Sequence, residues 1–354
     1  MYNLVYAINF NSQATRCTSA VSVYKSLSMK KIAFYLCLLL MVAACKKETS
    51  NEFLVDPNNP VNDTAWTSSL KNDAPVKQLA GLLSPLAGTA TINAATGGTI
   101  SFNNGVAVTF PANFLGAGIS TDVQVSLSYL KSKGDMIRFG RPTTSNNRIL
   151  ISSGAFNITV TSNGQVTNLA SGKSISVKYP NTNAGKGKII FFGDTTSTNP
   201  GTVYNDSTWV PTTDTTANTA TTYPQPDSSG FYLGYDLIIQ KLHWINCDEF
   251  ADSSLARGKL SVVLPANFTN NNTAVFGVFK NQLSVVSLYT DITNHLFYND
   301  RIPNGTVIVV VTISKIGNNY YLGTQEVTVL QNAVTNITPS IKSIADISSF
   351  LDSL

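Results

Sequence analysis

Few residues in this chain are of types that perform catalysis or bind metal ions, and they are scattered. The two histidines are His243 and His295, and Cys247 and Asp248 follow the first of them closely. These four side chains could be drawn as a zinc site, but a tetrahedral site normally shows closely paired ligands, which this set lacks. No G-x-S-x-G turn presents a serine to a histidine either. We expect no metal or cofactor, a structural role for His243 and a buried, apolar Cys247.

Carboxylate pairs that could hydrolyse a glycosidic bond are harder to judge, because the partners can lie far apart in the chain. Glutamate is scarce in this sequence. Asp248 and Glu249 are neighbours in a predicted strand, where adjacent side chains face opposite ways and would not contact one sugar. A hydrolase is therefore the alternative interpretation and not the leading one.

Two surface features indicate candidate binding sites instead. The first is a basic cluster with Asp135 as its only acid, formed by Lys131, Lys133, Arg138, Arg141 and Arg148. It could bind an anionic glycan or a lipid head group, although an ordinary solvated loop has the same composition. The second is aromatic, because rings such as Tyr204, Trp209 and Tyr223 could stack on sugars. The alternative for Trp209 is that it fills the edge of a sheet.

The charge balance excludes some partners. The formal net charge is +4, but residues 1–44 contain four basic residues and no acid, so residues 45–354 are neutral. A nucleic-acid-binding protein needs a surplus of positive charge, and we therefore expect no nucleic acid partner. Glutamate and lysine usually fill helix surfaces, so their scarcity also argues against a mainly helical fold.

The segment Met29–Cys45 has the composition of a targeting signal. Two lysines follow Met29, and an uncharged stretch then leads to two alanines and Cys45. This segment resembles a bacterial lipoprotein signal, which implies cleavage before Cys45 and its lipidation. Residues 1–28 are then a mis-assigned start, and 29–44 are the signal peptide. The implied partner is a membrane, reached through the N-terminal lipid, and Cys247 has no cysteine left to form a disulfide.

The rest of the chain predicts a mainly β protein with two antiparallel β-sandwich domains and a short C-terminal helix. Polar residues 45–80 form the lipid anchor and a flexible tether. Period-two alternation predicts the first sandwich over 81–193 and the second over 231–338, with hairpin signals such as Asn103–Gly105 and Asn163–Gly164. A low-complexity insertion separates them at 194–230, and apolar residues at helical spacing predict an amphipathic helix over 339–354.

A family resemblance covers about a quarter of the chain. The runs Gly97–Ile100, Gly105–Pro111, Val123–Leu127 and Gly154–Ile158, with Lys173–Pro180, resemble a ZU5-like β module. This resemblance implies a β-sandwich used for protein contacts, without catalytic residues. Residues 256–338 are similar, more faintly, to a transthyretin-type or immunoglobulin-like sandwich.

These features together predict a non-enzymatic, lipid-anchored protein of the outer membrane. Its role would be binding or scaffolding, with a protein or a glycan as ligand, and the sequence does not decide between the periplasmic and the cell-surface face. The alternative is an envelope hydrolase acting on polysaccharide or peptidoglycan.

Overall fold

A computed structural model of the chain describes residues 64–118, 121–193, 209–224, 232–252 and 254–354, which all belong to one compact unit. The described residues are mainly β, with antiparallel sheets and a short C-terminal helix, which confirms the predicted fold class. Cys45 and the predicted signal peptide lie outside the described residues. No helix in the described ranges is long and apolar enough to cross a bilayer.

The described ranges contain three helices, which are α1 (Pro75–Leu83), α2 (Lys133–Arg138) and α3 (Ile344–Asp352). The strands of the first half are β1 (Gly88–Asn93), β2 (Gly98–Ser101), β3 (Ala107–Phe110), β4 (Asp122–Leu130), β5 (Thr144–Ser145), β6 (Arg148–Ser162), β7 (Gln165–Thr167), β8 (Ile175–Pro180), β9 (Ile189–Gly193), β10 (Trp209–Pro211) and β11 (Thr219–Pro224). Those of the second half are β12 (Tyr232–Ile239), β13 (His243–Phe250), β14 (Arg257–Val263), β15 (Thr273–Phe279), β16 (Val285–Ser287), β17 (Tyr289–Asp291), β18 (Leu296–Pro303), β19 (Val307–Ile316), β20 (Asn319–Thr328), β21 (Asn332–Asn336) and β22 (Ser340–Lys342).

The first pair of sheets encloses one apolar core. The larger sheet has the order β1-β4-β6-β13-β9-β10, and the sheet that faces it has the order β11-β12-β8-β3-β2. Alternate residues of β4, such as Val123, Val125 and Leu127, point inward to meet Val177 and Leu237 from the other sheet. This alternation is the one that the period-two pattern predicts for a half-buried strand.

Strands β12 and β13 lie elsewhere than predicted. Both were placed in the second sandwich, which was drawn from residue 231, but β12 pairs with β8 and β13 pairs with β6 and β9. The first pair of sheets therefore continues to Phe250, beyond the polar segment 194–230. Periodicity gave no sign of this pairing, because it shows which face of a strand is buried but not which strand lies beside it.

The second pair of sheets is built from the later strands, with the orders β17-β18-β14-β21 and β16-β15-β19-β20-β22. Leu260, Val262 and Phe297 face Val275 and Val310 in its core. A third core joins the two pairs of sheets. It contains residues from β4, β6 and β9 on one side and from β15 and β19 on the other, together with all three helices.

The helices close this joint core. Val76, Leu79 and Leu83 of α1 are buried in it, although the sequence predicted a flexible tether as far as residue 80. Contacts with the folded part also reach back along the chain to Thr67. Its backbone N–H and C=O are hydrogen-bonded to the Asn270 side chain at 3.0 and 2.6 Å. Only the part of the predicted tether before residue 64 lies outside the described residues.

The C-terminal helix is shorter than the predicted segment 339–354. Residues Ser340–Lys342 form β22, and α3 begins after them with Ser343 as its N-cap. Asp346 completes a capping box with Ser343, so two of the free N–H groups at the helix start are satisfied. Ile347 and Leu351 are the buried residues of α3, at the four-residue spacing that predicted the helix.

Candidate anion-binding site

The predicted basic cluster does not form one surface. Arg138 is buried, and its guanidinium donates to the Ser348 carbonyl and to Asp352 Oδ1, each at 2.6 Å. Asp135 lies 3.3 Å away on the other side. Arg138 thus joins α2 to α3 and is not available to a ligand in solvent.

Lys133 and Arg141 are also engaged within the fold. The Lys133 ammonium donates to the carbonyl of Phe279 at 2.6 Å, and its partial burial lowers the lysine pKa. Arg141 lies over the Trp244 ring, with its Cζ 4.2 Å from the ring centroid. Burial lowers the pKa of Arg141 to about 10, which still leaves the guanidinium charged at neutral pH.

Trp209 is fully buried, which corrects the prediction that its ring stacks on a sugar. Its indole N–H donates to the Pro142 carbonyl at 3.0 Å, and its ring meets Trp244 edge-on. The alternative interpretation, that Trp209 fills the edge of a sheet, describes its position in β10. Tyr223 is half-buried beside Lys178, and Tyr204 lies outside the described residues.

Of the predicted cluster, Lys131 and Arg148 are exposed. Arg148 follows a tight two-residue turn, since Ser145 pairs with Arg148 across Asn146 and Asn147. Both asparagines have positive φ, at 45° and 66°, as this kind of hairpin turn requires. The Arg148 guanidinium lies 3.7 Å from the centroid of the Phe250 ring, which holds it at the surface.

Arg148 meets two other arginines where the two pairs of sheets adjoin. Two neighbouring pockets share Asn147, Arg148, Ile149 and Arg301, and the second of them also includes Arg257. They hold about 270 and 340 Å³, counting the solvent at their mouths. We call this surface the arginine groove and define it by Arg148, Arg257 and Arg301.

A β-bulge positions Arg301. Gly258 of β14 pairs with Ile302, but Leu260 pairs with Asn299, so Asp300 and Arg301 together oppose a single residue. Bulges change the direction of side chains and are common beside functional sites. The Arg301 guanidinium donates to the Tyr289 hydroxyl at 2.6 Å and lies over the Tyr289 ring.

One lining residue of the groove, Ser287, has a buried side-chain oxygen that lacks a partner among the described residues. Ser287 is 9% exposed, and its hydroxyl has no hydrogen-bond partner among the described residues. Its backbone carbonyl accepts from the side-chain amide of Asn299 at 2.9 Å, which fixes the position of Ser287. A buried hydroxyl without a partner is uncommon, because its lost hydration is not replaced.

The groove carries a net positive charge, although the Asp300 carboxylate lies 3.8 Å from Nε of Arg301. Among its described lining residues Asp252 is the single acid, against three arginines. Hydrogen bonds from Ser254, of which the backbone N–H contributes most, lower the pKa of Asp252. The other polar lining groups are amides and hydroxyls, from Thr144, Asn147, Ser287, Tyr289 and Asn299.

The residues considered for metal or acid–base chemistry are not brought together. His295 stacks on Trp66 with 5.4 Å between the ring centroids, and Cys247 lies in the core of the first pair of sheets, where burial raises its thiol pKa to about 12. Asp248 is fully buried, and burial raises its pKa to about 7. Within the described ranges no group of three or more His, Cys, Asp or Glu side chains could hold a metal ion.

Comparisons with protein-family models, curated proteins and solved structures found no match to this chain. The arginine groove is therefore assigned from its own geometry. Sequence reasoning identified Arg148 but not its partners, since Arg257 and Arg301 are more than a hundred residues away. The one local signal that could have drawn attention to the site is Asn146-Asn147, a turn that presents the next residue at the surface.

Proposed function

We propose that this chain is a lipid-anchored protein of the bacterial outer membrane with a binding or scaffolding role. The observation that carries the binding role is the convergence of Arg148, Arg257 and Arg301 on one groove. Guanidinium groups stay protonated at neutral pH, so they donate hydrogen bonds to a ligand and do not act as acid–base catalysts. A negatively charged group on a protein or a glycan is the ligand that such a surface favours.

The lipid anchor is supported by the sequence of Met29–Cys45, with its lysines, its uncharged stretch and its small residues before the cysteine. Attachment through two or more acyl chains would hold the protein stably at a membrane. Nineteen residue steps separate Cys45 from Thr64, the first described residue. Even fully extended, they would span at most about 65 Å, which bounds the distance of Thr64 from the lipid surface.

We also propose that residues 95–180 form a ZU5-like module. Its glycine and proline positions and its paired strands β2, β3 and β8 are consistent with the resemblance. Modules of this family make protein contacts, so a protein partner for this part of the chain is compatible with a separate ligand in the arginine groove.

Protease treatment of cells that express tagged full-length protein tests the anchor and the location. The wild type is expected in the membrane fraction, and Cys45→Ala is expected to be released. Digestion on intact cells would place the folded part outside the cell, whereas protection until the outer membrane is opened would place it in the periplasm. Recovery of wild type and Cys45→Ala alike in the soluble fraction would refute the lipid anchor.

A further inference from the structure

We infer that the arginine groove binds the negatively charged sugars of an acidic polysaccharide, such as one that contains uronic acids. The inference rests on the proposed binding role and specifies its ligand. It depends on four features of the groove, which are its charge, the ordered side chain of Arg301, its neutral polar lining and its shallow shape.

The charge is concentrated where the two pockets meet. Arg148 and Arg301 line both pockets, and Arg257 extends the positive surface along the second one. The residues from Cys45 onward are neutral overall, so this surface is a local feature and not part of a basic protein. Three arginines suit a ligand with a few separated charges better than a duplex, which needs many phosphate contacts.

The Arg301 side chain is already held in position by contacts within the protein. One guanidinium N–H donates to the Tyr289 hydroxyl, and the ring of the same tyrosine supports the cationic plane. A guanidinium has five N–H donors in a fixed fork, so the bond to Tyr289 is compatible with a further bond to a carboxylate. Because the side chain is already ordered, less entropy is lost on binding.

Neutral polar groups beside the arginines favour a sugar over a simple anion. The exposed Asn147 lines both pockets, and the half-buried Thr144 lines the first. Sugar hydroxyls can donate to and accept from such groups at once, whereas a sulfate ion can only accept from them.

The shape of the groove favours a long ligand. The two pockets adjoin and are shallow, since most of their volume is open solvent and the enclosed part of each has room for about one water molecule. A small ligand could not be enclosed there. A chain that lies across the surface, with its charged groups over the arginines, fits this shape better.

Detergent-solubilised full-length protein provides the test. Its affinity would be measured by calorimetry for polygalacturonate, for dextran of the same length as a neutral polymer, and for inorganic phosphate as a small anion. Arg301→Gln and Arg257→Gln remove charge from the groove. Lys342→Gln is the control variant, because it removes an exposed charge from β22. This strand lies at the opposite edge of its sheet from Ser287 in β16, four strand spacings or roughly 19 Å away.

The expected result is binding of polygalacturonate but not of dextran, with affinity reduced about tenfold or more by Arg301→Gln and unchanged by Lys342→Gln. Equal losses of affinity in Arg301→Gln and in Lys342→Gln would show non-specific attraction and overturn the inference. Tight binding of phosphate alone, with no gain from the polymer, would overturn it as well. Absence of polygalacturonate binding by protein that was recovered from the membrane fraction before solubilisation would refute the ligand class while leaving the anchor intact.

Discussion

Gly134 of α2 packs directly against the backbone of Leu351 in α3. A Cβ atom at position 134 would overlap the carbonyl oxygen of Leu351. The two helices can approach this closely only because residue 134 has no side chain. Since α2 and α3 both contribute to the joint core, this contact connects the C-terminus to both pairs of sheets.

Replacing Gly134 should therefore weaken the fold. We expect Gly134→Ala to lower the free energy of unfolding by about 2 kcal/mol, because the added methyl must push the helices apart. Urea denaturation followed by tryptophan fluorescence measures this. Gly81→Ala is the matched control, since Gly81 is also helical but has open space at its Cβ, and it should stabilise by about 0.5–1 kcal/mol. Equal effects of the two variants would contradict the close contact.

Replacing Arg138 should cost more stability than replacing Asp352, its ion-pair partner. Arg138 is buried and also donates to the Ser348 carbonyl, whereas the Asp352 side chain is 68% exposed. We expect Asp352→Asn to cost less than about 1 kcal/mol, as for a surface pair. Arg138→Gln should cost about 2–3 kcal/mol, because it removes several hydrogen bonds within the fold. Chemical denaturation of both variants checks this, and a larger loss for Asp352→Asn would be inconsistent with it.

Local sequence signals predicted the individual elements well. Asn163-Gly164 forms the expected two-residue turn between β6 and β7, with φ values of 50° and 75°. Asn103–Gly105 also forms a hairpin, but as a three-residue loop in which only Gly105 has positive φ. Both turns depend on residues next to each other in the chain, which is why sequence could identify them.

Arrangements that depend on distant residues were not predictable. The arginine groove needs a turn before β6, the start of β14 and a bulge in β18, and nothing in the local pattern relates these three places. The prediction of one basic surface was wrong for the converse reason. Closeness in sequence suggested one surface, but α2 turns Arg138 toward α3 while Arg148 lies beyond a hairpin.

Trp209 should contribute to stability and not to ligand binding. It is fully buried, and its indole N–H is bonded to the Pro142 carbonyl. We expect Trp209→Ala to lower the free energy of unfolding by about 3–5 kcal/mol, as for other large core side chains. Affinity for polygalacturonate, measured under conditions where the variant is still folded, should match the wild type. A selective loss of affinity at unchanged stability would restore the sugar-stacking hypothesis.

The buried Asp248 should make stability depend on pH. Its Oδ2 accepts from the Asn246 amide at 2.5 Å, and burial raises its pKa from 3.8 to about 7. Between these values the folded chain binds more protons at this group than the unfolded chain does, so the free energy of unfolding falls as the pH rises. Below about pH 4 both states are protonated, and above about pH 7 the full cost of burying the charge is present.

Asp248→Asn tests this, because the amide resembles the protonated acid. We expect the variant to be more stable than the wild type at pH 8, with a difference that shrinks toward pH 4. Urea denaturation at intervals from pH 4 to 8 measures the difference. Asp73→Asn replaces an exposed acid and is the control. Its free energy of unfolding should fall with rising pH as that of the wild type does. A constant difference between Asp248→Asn and wild type across this range would argue against a raised pKa.

Ser287 and Ser284 allow an unbonded and a hydrogen-bonded buried hydroxyl to be compared within one segment. Ser284 is buried, and its hydroxyl donates to the Leu150 carbonyl at 2.5 Å, whereas the hydroxyl of Ser287 has no partner among the described residues. We expect Ser284→Ala to destabilise by about 1–2 kcal/mol, because it leaves a carbonyl unpaired. Ser287→Ala removes an unsatisfied oxygen, so its free energy of unfolding should be equal to that of the wild type or slightly higher. Because the Ser287 hydroxyl is shielded from solvent, the same variant should bind polygalacturonate as the wild type does in calorimetry. Destabilisation of Ser287→Ala to the level of Ser284→Ala would instead show that the Ser287 hydroxyl has a hydrogen-bond partner in solution.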